Sequence, residues 1–424
     1  MSNKTLTNWA GNLAYGATTL LRPRSIPELQ EMVRANPRLK VLGTRHSFSA
    51  IADTNAAHLS LDRLPTEITI GPDRRSVTVT GHLTYAALAR TLQRKGLGLH
   101  NLASLPHISI AGAVQTATHG SGRRNGSLAV PVSALELVTA SGEIRRLSRA
   151  ADGGRFDGAV VGLGALGVVT ALTLDVVSTF DVRQFVYPGL PPADIPAVVE
   201  DLIGLAYSVS VFTDWVHLEK TLLWVKDRVA DGRFADPPRE IAGAQLAEEE
   251  LHPIAGLPAE ACTPQLGRIG PWHERLPHFR MEFQPSAGEE LQSEYFVPFE
   301  RAGGALEALL AIGERIAPLL WVSEIRAIAA DAHWMSPCYG RDSLAVHFTW
   351  KPDWEAVRGV LPRIEAALEP FGARPHWGKL FTMAPDAVRE GYARLGDFVQ
   401  LAGELDPGGK FRNGFLDHFI FEAR

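Results

Sequence analysis

The sequence predicts an α+β fold in two domains, on three observations. Its 424 residues exceed the roughly 100–200 that one domain usually holds. Short strands and capped helices alternate through the chain as far as Val177. Beyond it, longer strand-like runs surround a Pro- and Gly-punctuated interval from Ala230 to Pro271, so a domain boundary is expected near Val177.

The elements follow from local patterns. RSIPELQEMVRAN sets Ser25 as N-cap, Pro27 in the first turn and Glu28 to close a capping box, with Leu29, Met32 and Val33 at helical spacing. LKVLG is a strand, EITIGPDRRSVTVTG a hairpin around Pro72–Asp73, and TYAALARTLQRKG a helix ending at Gly96. ALELVTASGEIRRLS turns at Ser141–Gly142 as a second hairpin, and VSVFTDWV and TLLWVKD are strands of the later half.

Composition narrows the function. Hydrophobic residues at 46% and charged residues at 21% fit a globular chain, and no apolar run approaches the roughly 18 residues of a membrane span. The start, MSNKTLTNWAGN, lacks the basic and apolar regions of a secretory signal, so a cytoplasmic protein is expected. Two distant cysteines, Cys262 and Cys338, exclude a disulfide framework or a cysteine-built zinc site. A net charge of -5 without a basic tract argues against nucleic acid. The expectation is a monomer acting on a small molecule, with no membrane partner.

GLGALG, Gly162 to Gly167, fits the dinucleotide fingerprint, and Asp181 lies near the expected spacing. That fingerprint needs a helix after its glycines, whereas VVTALTLDVV alternates as a strand does, so a nicotinamide site is not predicted. Glycines between strands instead allow close approach of a cofactor or of another strand. A second small-residue stretch, SLPHISIAGAVQTATHGSGRRNGS, can aim backbone N–H groups and hydroxyls at an anion such as a pyrophosphate. Alone, it also reads as a surface loop, and a single His46 as a structural histidine.

VLGTRHSF, SLPHISIAGAVQTATHGSG and GALGVVTALTLDV, in that order, resemble the flavin domain of the vanillyl-alcohol oxidase (PCMH) superfamily. NWAGN, SEIRAIAAD, HFTW, HWGKLF and DPGGKFRN are similar to motifs of its alditol (xylitol) oxidases, across nearly the whole chain. The resemblance implies an FAD-binding domain over residues 1–177, a substrate (cap) domain over 178–375 and a C-terminal segment, 376–424, returning to the first. It implies FAD bonded covalently at its 8α-methyl to a ring nitrogen of His46, a residue type whose neutral ring is nucleophilic near neutral pH. Gly43, Thr44, Arg45, Ser47, Ser104, Ser109, Gly112, Thr116, Ala117, Gly167, Val169 and Lys379 would complete the cofactor site. Relatives often carry Gly where this chain has Arg45; a non-Gly residue disfavours positive φ, so the loop is expected to take a conformation Arg tolerates.

Glu324 and Arg326 are two apart, as are His347 and Thr349, so on strands each pair shares a face. Such a face is either a solvated one with surface ion pairs or a polar pocket wall. With Ser104 and Lys379, the four match the alditol-oxidase substrate site. The resemblance implies oxidation of a sugar alcohol, xylitol or sorbitol, to an aldose, with dioxygen reduced to hydrogen peroxide. Glu324, Arg326, His347 and Lys379 would be catalytic, with His347 or Lys379 as base. An aldonolactone oxidase or dehydrogenase, or a flavin-binding protein without turnover, are the rivals. His273 and His278, five apart around Pro277, lack a third ligand, so no metal is expected and both read as structural. Trp215, Trp224 and Trp272 read as core aromatics of the second domain.

Overall fold

The computed structural model describes residues 6–229, 236–283 and 290–422, so the first residues of the Ala230–Pro271 interval lie outside the described residues. Among the described residues three sheets have three or more strands.

A small parallel sheet runs in the order Thr19–Leu21, Ala57–Leu59, Leu39–Val41. Helix Ile26–Ala35 lays Leu29 and Val33 into the same small core as Leu39 and Leu59. Its cap deviates slightly from the expected box. The Ser25 hydroxyl accepts from Glu28 N–H at 3.3 Å, but the Glu28 carboxylate takes the N–H of Arg24, at 2.6 Å, instead of that of Ser25.

An antiparallel five-stranded sheet follows, ordered Ile68–Ile70, Ser76–Thr80, Val168–Asp175, Val132–Val138, Ile144–Ser148. Both hairpins turn where the sequence places them, and the residues after GLGALG form the central strand. The small-residue stretch is not all loop. Ile110–Gln115 is a short helix, because Ile110, Ala113 and Val114 form a buried stripe that the surrounding Gly, Ser and Thr conceal in sequence. Trp272 packs into this first core, not the second.

After Asp175 the chain enters an eight-stranded antiparallel sheet: Gly270–Pro271, Asp181–Pro188, Leu222–Val229, Ser208–Thr213, Leu320–Ile328, Ser343–Trp350, Leu291–Pro298, Arg374–Pro375. One face is apolar. Ile325, Val346 and Phe348 pack there under helices Ile195–Gly204, Ala302–Leu310 and Trp354–Leu368. Strand periodicity then sends Glu324, Arg326, His347 and Thr349 to the opposite face.

That face turns toward the first sheets. Gly122 N–H donates to Ala327 O and Ala329 N–H to Asn125 O, both at 2.9 Å. Residues 376–381 clamp the two halves: Phe48 N–H donates to Gly378 O at 2.7 Å, while His376 and Leu380 N–H donate to Glu294 O and Gln292 O. Farther on, Asn413 Nδ2 donates to the carbonyls of Ala50, Ile51 and Asp53. No described helix is long and apolar enough to cross a membrane.

Gly167 carries a testable constraint. It sits at φ +146°, and a Cβ there would fall 2.7 Å from Val138 O. Gly167→Ala is expected to cost about 1–3 kcal/mol, read from the urea midpoint. An unchanged midpoint would show that the loop relaxes freely.

Candidate active site

The strand Leu39–Val41 releases its chain into Gly43, Thr44, Arg45 and His46, which open onto a cavity of about 1170 Å³. Pockets for drug-sized ligands usually hold about 300–1,000 Å³, so this one has room for something larger. Arg45 adopts φ +64°. The expectation that Arg would exclude the left-handed region is therefore overturned. Such a conformation costs a non-Gly residue about 1–2 kcal/mol, and the N-terminal segment holds it in place. Arg45 Nη1 donates to Thr7 O at 2.9 Å, and Trp9 N–H donates to Arg45 O at 2.8 Å.

NWAGN is the rest of that strap. Asn8 Nδ2 donates to Ser47 O at 3.0 Å and Asn12 Nδ2 to Phe48 O at 3.2 Å, while the Trp9 ring stacks on His46 at 5.3 Å. Burial above all, then the charges of His107 and Lys379, pulls the His46 imidazole down to about 4. Its ring is thus neutral at neutral pH. His46 Nδ1 is buried and has no hydrogen-bond partner among the described residues.

Ser109 N–H donates to Thr44 Oγ1 at 3.1 Å and so joins the second stretch to the His46 loop. Ser47, Ser104, Ser109, Gly112, Thr116, Gly167 and Val169 all line the same cavity. Ala117 does not. At φ +54° its methyl is buried in the first core, and the neighbouring Thr118 reaches the wall instead.

The polar face of the large sheet supplies the opposite wall. Cross-strand register aligns Phe212, Glu324, His347 and Glu294 in one row. Arg326, one step along, donates from Nη2 to Glu294 Oε1 at 2.6 Å and holds Nε 3.6 Å from Glu324 Oε1. Its Nη1 reaches Ser104 Oγ at 3.4 Å. This is not a solvated face: Glu294, Glu324 and Arg326 are 2%, 5% and 5% exposed. Burial pushes both carboxyls up. For Glu294 its interactions with His119, Arg326 and His347 outweigh it, and for Glu324 those with Arg326 and His278 do; both stay well below the ordinary carboxylate range.

His347 Nε2 meets Thr349 Oγ1 at 3.2 Å, and its Nδ1 lies 3.6 Å from Glu294 Oε2. Burial, then the Lys379 charge, holds this imidazole below its ordinary value. Lys379, on the clamping segment, donates to Gln292 Oε1 and sits 5.1 Å above the Phe48 ring. Burial pulls its ammonium down to about 8. Glu324, Arg326, His347, Thr349, Lys379 and Ser104 thus share one cavity with His46.

Sequence reasoning missed several neighbours. Glu294 and Gln292 alternate on LQSEYFVP as Glu324 and Arg326 do on their own strand, and that periodicity was the available signal. His119 Nε2 lies 3.2 Å from Glu294 Oε1. His278, read as structural, brings Nε2 to 2.7 Å from Glu324 Oε1; nothing in the chain signals a contact across that separation. Among the described residues no cluster of three or more His, Cys, Asp or Glu could hold a metal.

Comparison with known proteins gives the chain's relatives. Residues 17–148 match the FAD binding domain family and residues 288–419 the D-arabinono-1,4-lactone oxidase family. The chain is 49% identical to alditol oxidase of a Streptomyces species, covering 97% of this chain and 98% of that one. It is 27% identical to L-gulono-1,4-lactone dehydrogenase of Mycobacterium tuberculosis, over 96% and 97% of the two chains. Among solved structures, cholesterol oxidase from B. sterolicum superposes with a TM-score of 0.79 at 15% identity, over 98% and 96% of the chains, which shows the shared fold.

The Glu294–Arg326 pair makes two predictions. Glu294→Ala leaves a buried guanidinium under-compensated and is expected to cost about 3–5 kcal/mol; a urea-measured loss below about 1 kcal/mol would contradict it. Because Glu294 and Glu324 titrate below 4.5 in the fold, their contribution is complete above about pH 4.5 and lost as pH falls below it. Glu294→Gln should flatten that acid limb of stability.

Proposed function

The chain belongs to the alditol oxidase family and carries an FAD-binding domain, and we propose on that footing that it oxidises the terminal hydroxyl of a sugar alcohol such as xylitol or sorbitol to the aldose, with dioxygen reduced to hydrogen peroxide. One observation carries the reading: a buried, ion-paired row of hydroxyl-binding groups opens into the same cavity as a neutral histidine whose Nδ1 has no hydrogen-bond partner among the described residues.

The residues fit FAD. A Cβ at Gly43 or Gly112 would come within 2.7 or 2.8 Å of Ser109 Oγ, so both positions keep space beside the His46 loop that a larger side chain would take. Gly43, Thr44, Arg45, His46, Ser47, Ser104, Ser109, Gly112, Thr116, Gly167, Val169 and Lys379 would hold the cofactor, with His46 as its covalent anchor. FAD supplies a two-electron acceptor that hands its electrons on to dioxygen.

The chain's own groups do the rest. Ionised Glu324 accepts from a substrate hydroxyl, Arg326 donates to another, and the Thr349 and Ser104 hydroxyls donate to or accept from others along the polyol, a readout that rejects analogues lacking those hydroxyls. His347, held neutral, takes the proton of the hydroxyl being oxidised. Lys379 remains largely cationic at neutral pH and steadies the charge that grows on that oxygen. The match of residues 288–419 to a lactone oxidase family keeps an aldonolactone as the rival substrate.

Acid-precipitated protein is expected to stay yellow, and His46→Ala to release its flavin on precipitation; a colourless wild-type pellet would defeat the covalent anchor. Peroxide should form on xylitol and sorbitol, whereas peroxide from a lactone alone would favour the rival. With His347 as base, kcat/KM should fall on the acid side, at a pH below the ordinary imidazole value of 6.5. A Lys379→Met variant should lose rate yet keep that limb, displaced upward toward 6.5 because the cation that depresses His347 is gone; if the limb disappears with Lys379, the base assignment passes to it.

A further inference from the structure

Behind Glu324 lies a pair of buried groups that the proposed chemistry does not use. Lys226, on the strand Leu222–Val229, is 1% exposed, and His278 is 4% exposed. An ammonium has three N–H donors and no lone pair. Lys226 Nζ has three acceptors to match: Leu276 O at 2.6 Å, Pro277 O at 3.0 Å and His278 Nδ1 at 3.1 Å. With its other donors taken by carbonyls, the lysine requires a lone pair on Nδ1. The ring proton is then left on Nε2, which faces Glu324 Oε1 at 2.7 Å.

We propose that Lys226 and His278 are positioning residues for Glu324: the lysine selects the Nε2–H tautomer of the histidine, and that N–H orients the carboxylate toward the substrate. The ring has little freedom to turn, because Phe212 and Trp224 meet it edge-on at 5.4 and 5.3 Å. The charged groups around it are Lys226, Glu324 and, through Glu324, Arg326. Burial and then the Lys226 charge hold the imidazole down to about 4, which keeps it neutral while the lysine is charged. One oxygen of Glu324 is thereby tied down, and the carboxylate keeps acceptor capacity for a hydroxyl. Without Lys226 the ring proton is held on Nε2 by the Glu324 carboxylate alone, and nothing at Nδ1 opposes the other tautomer, in which the Nε2 lone pair would face that carboxylate.

The inference rests on Glu324 binding a polyol hydroxyl, so the test separates the two. In the flavin-loaded enzyme, Lys226→Met is expected to lower kcat/KM for xylitol about ten-fold or more, as loss of an orienting outer partner does, chiefly through KM, with Lys226→Arg recovering part of it. In a Glu324→Gln background the same substitution should add little, since coupled groups are not additive. A full additional loss in that background would overturn the proposal. Independently of turnover, nitrogen NMR of the wild type at about pH 6, below the value of about 7 to which burial pulls Lys226, should show His278 protonated on Nε2 alone, assigned by difference from His278→Gln. A proton on Nδ1 would overturn the inference even if Lys226→Met failed to fold. A wild type that oxidises no polyol would sink the substrate reading, while the tautomer would still judge the Lys226–His278 link.

Discussion

Arg326, held between Glu294 and Glu324, is the interaction on which the large sheet depends. A covered sheet face normally has to be apolar, because an isolated buried charge costs several kcal/mol even after relaxation. Here two carboxylates and one guanidinium share a buried layer at the cavity wall, with His119 and His278 as further partners. That compensation lets the same strands bury Ile325, Val346 and Phe348 on one face and hold ions on the other. The sheet is therefore at once a core element and the floor of a site.

The second constraint lies on the facing wall. Arg45 occupies a conformation that glycine would adopt without cost, and the contacts of Thr7, Asn8 and Trp9 counter its tendency to relax. The NWAGN segment thus helps set where His46 points. The clamp from His376 to Phe381 does the equivalent for Lys379, because its backbone bonds to the His46 loop and to the Leu291–Pro298 strand together. Leu6 and Trp9 from one segment and His376, Gly378 and Lys379 from the other meet at one cavity, while Asn413 ties its own segment to Ala50, Ile51 and Asp53, so motifs spread from Asn8 to Asn413 belong to one architecture.

Much of this was legible in the sequence, and the exceptions share a cause. Hairpins, caps and the strand after GLGALG follow from local periodicity and turn residues, which act over a few positions. Glu324, Arg326, His347 and Thr349 were legible because two-residue spacing on a strand is also local. Glu294 obeys the same rule and was passed over because Tyr295, Phe296 and Val297 make its strand look like plain core. His278 and Lys226 obey no local rule. Their role exists only where a loop folds back over a strand, and a sequence carries no period for that. Ala117 shows the opposite case, a motif position beside a cavity whose side chain faces the core.

Lys226 and Lys379 show how the fold turns one residue type to two uses. Burial weakens the charge of both, pulling them to about 7 and about 8. What separates them is acceptor count. Lys226 has two backbone carbonyls and a ring nitrogen, so all three of its donors are committed to fixed protein groups. Lys379 has one described acceptor, Gln292, and lines the cavity. An ammonium whose donors are all satisfied can only orient its neighbours. One with donors to spare, in a chamber shared with an ionised carboxylate and a neutral imidazole, keeps the capacity to meet a further oxygen, and in that respect Lys379 differs from Lys226.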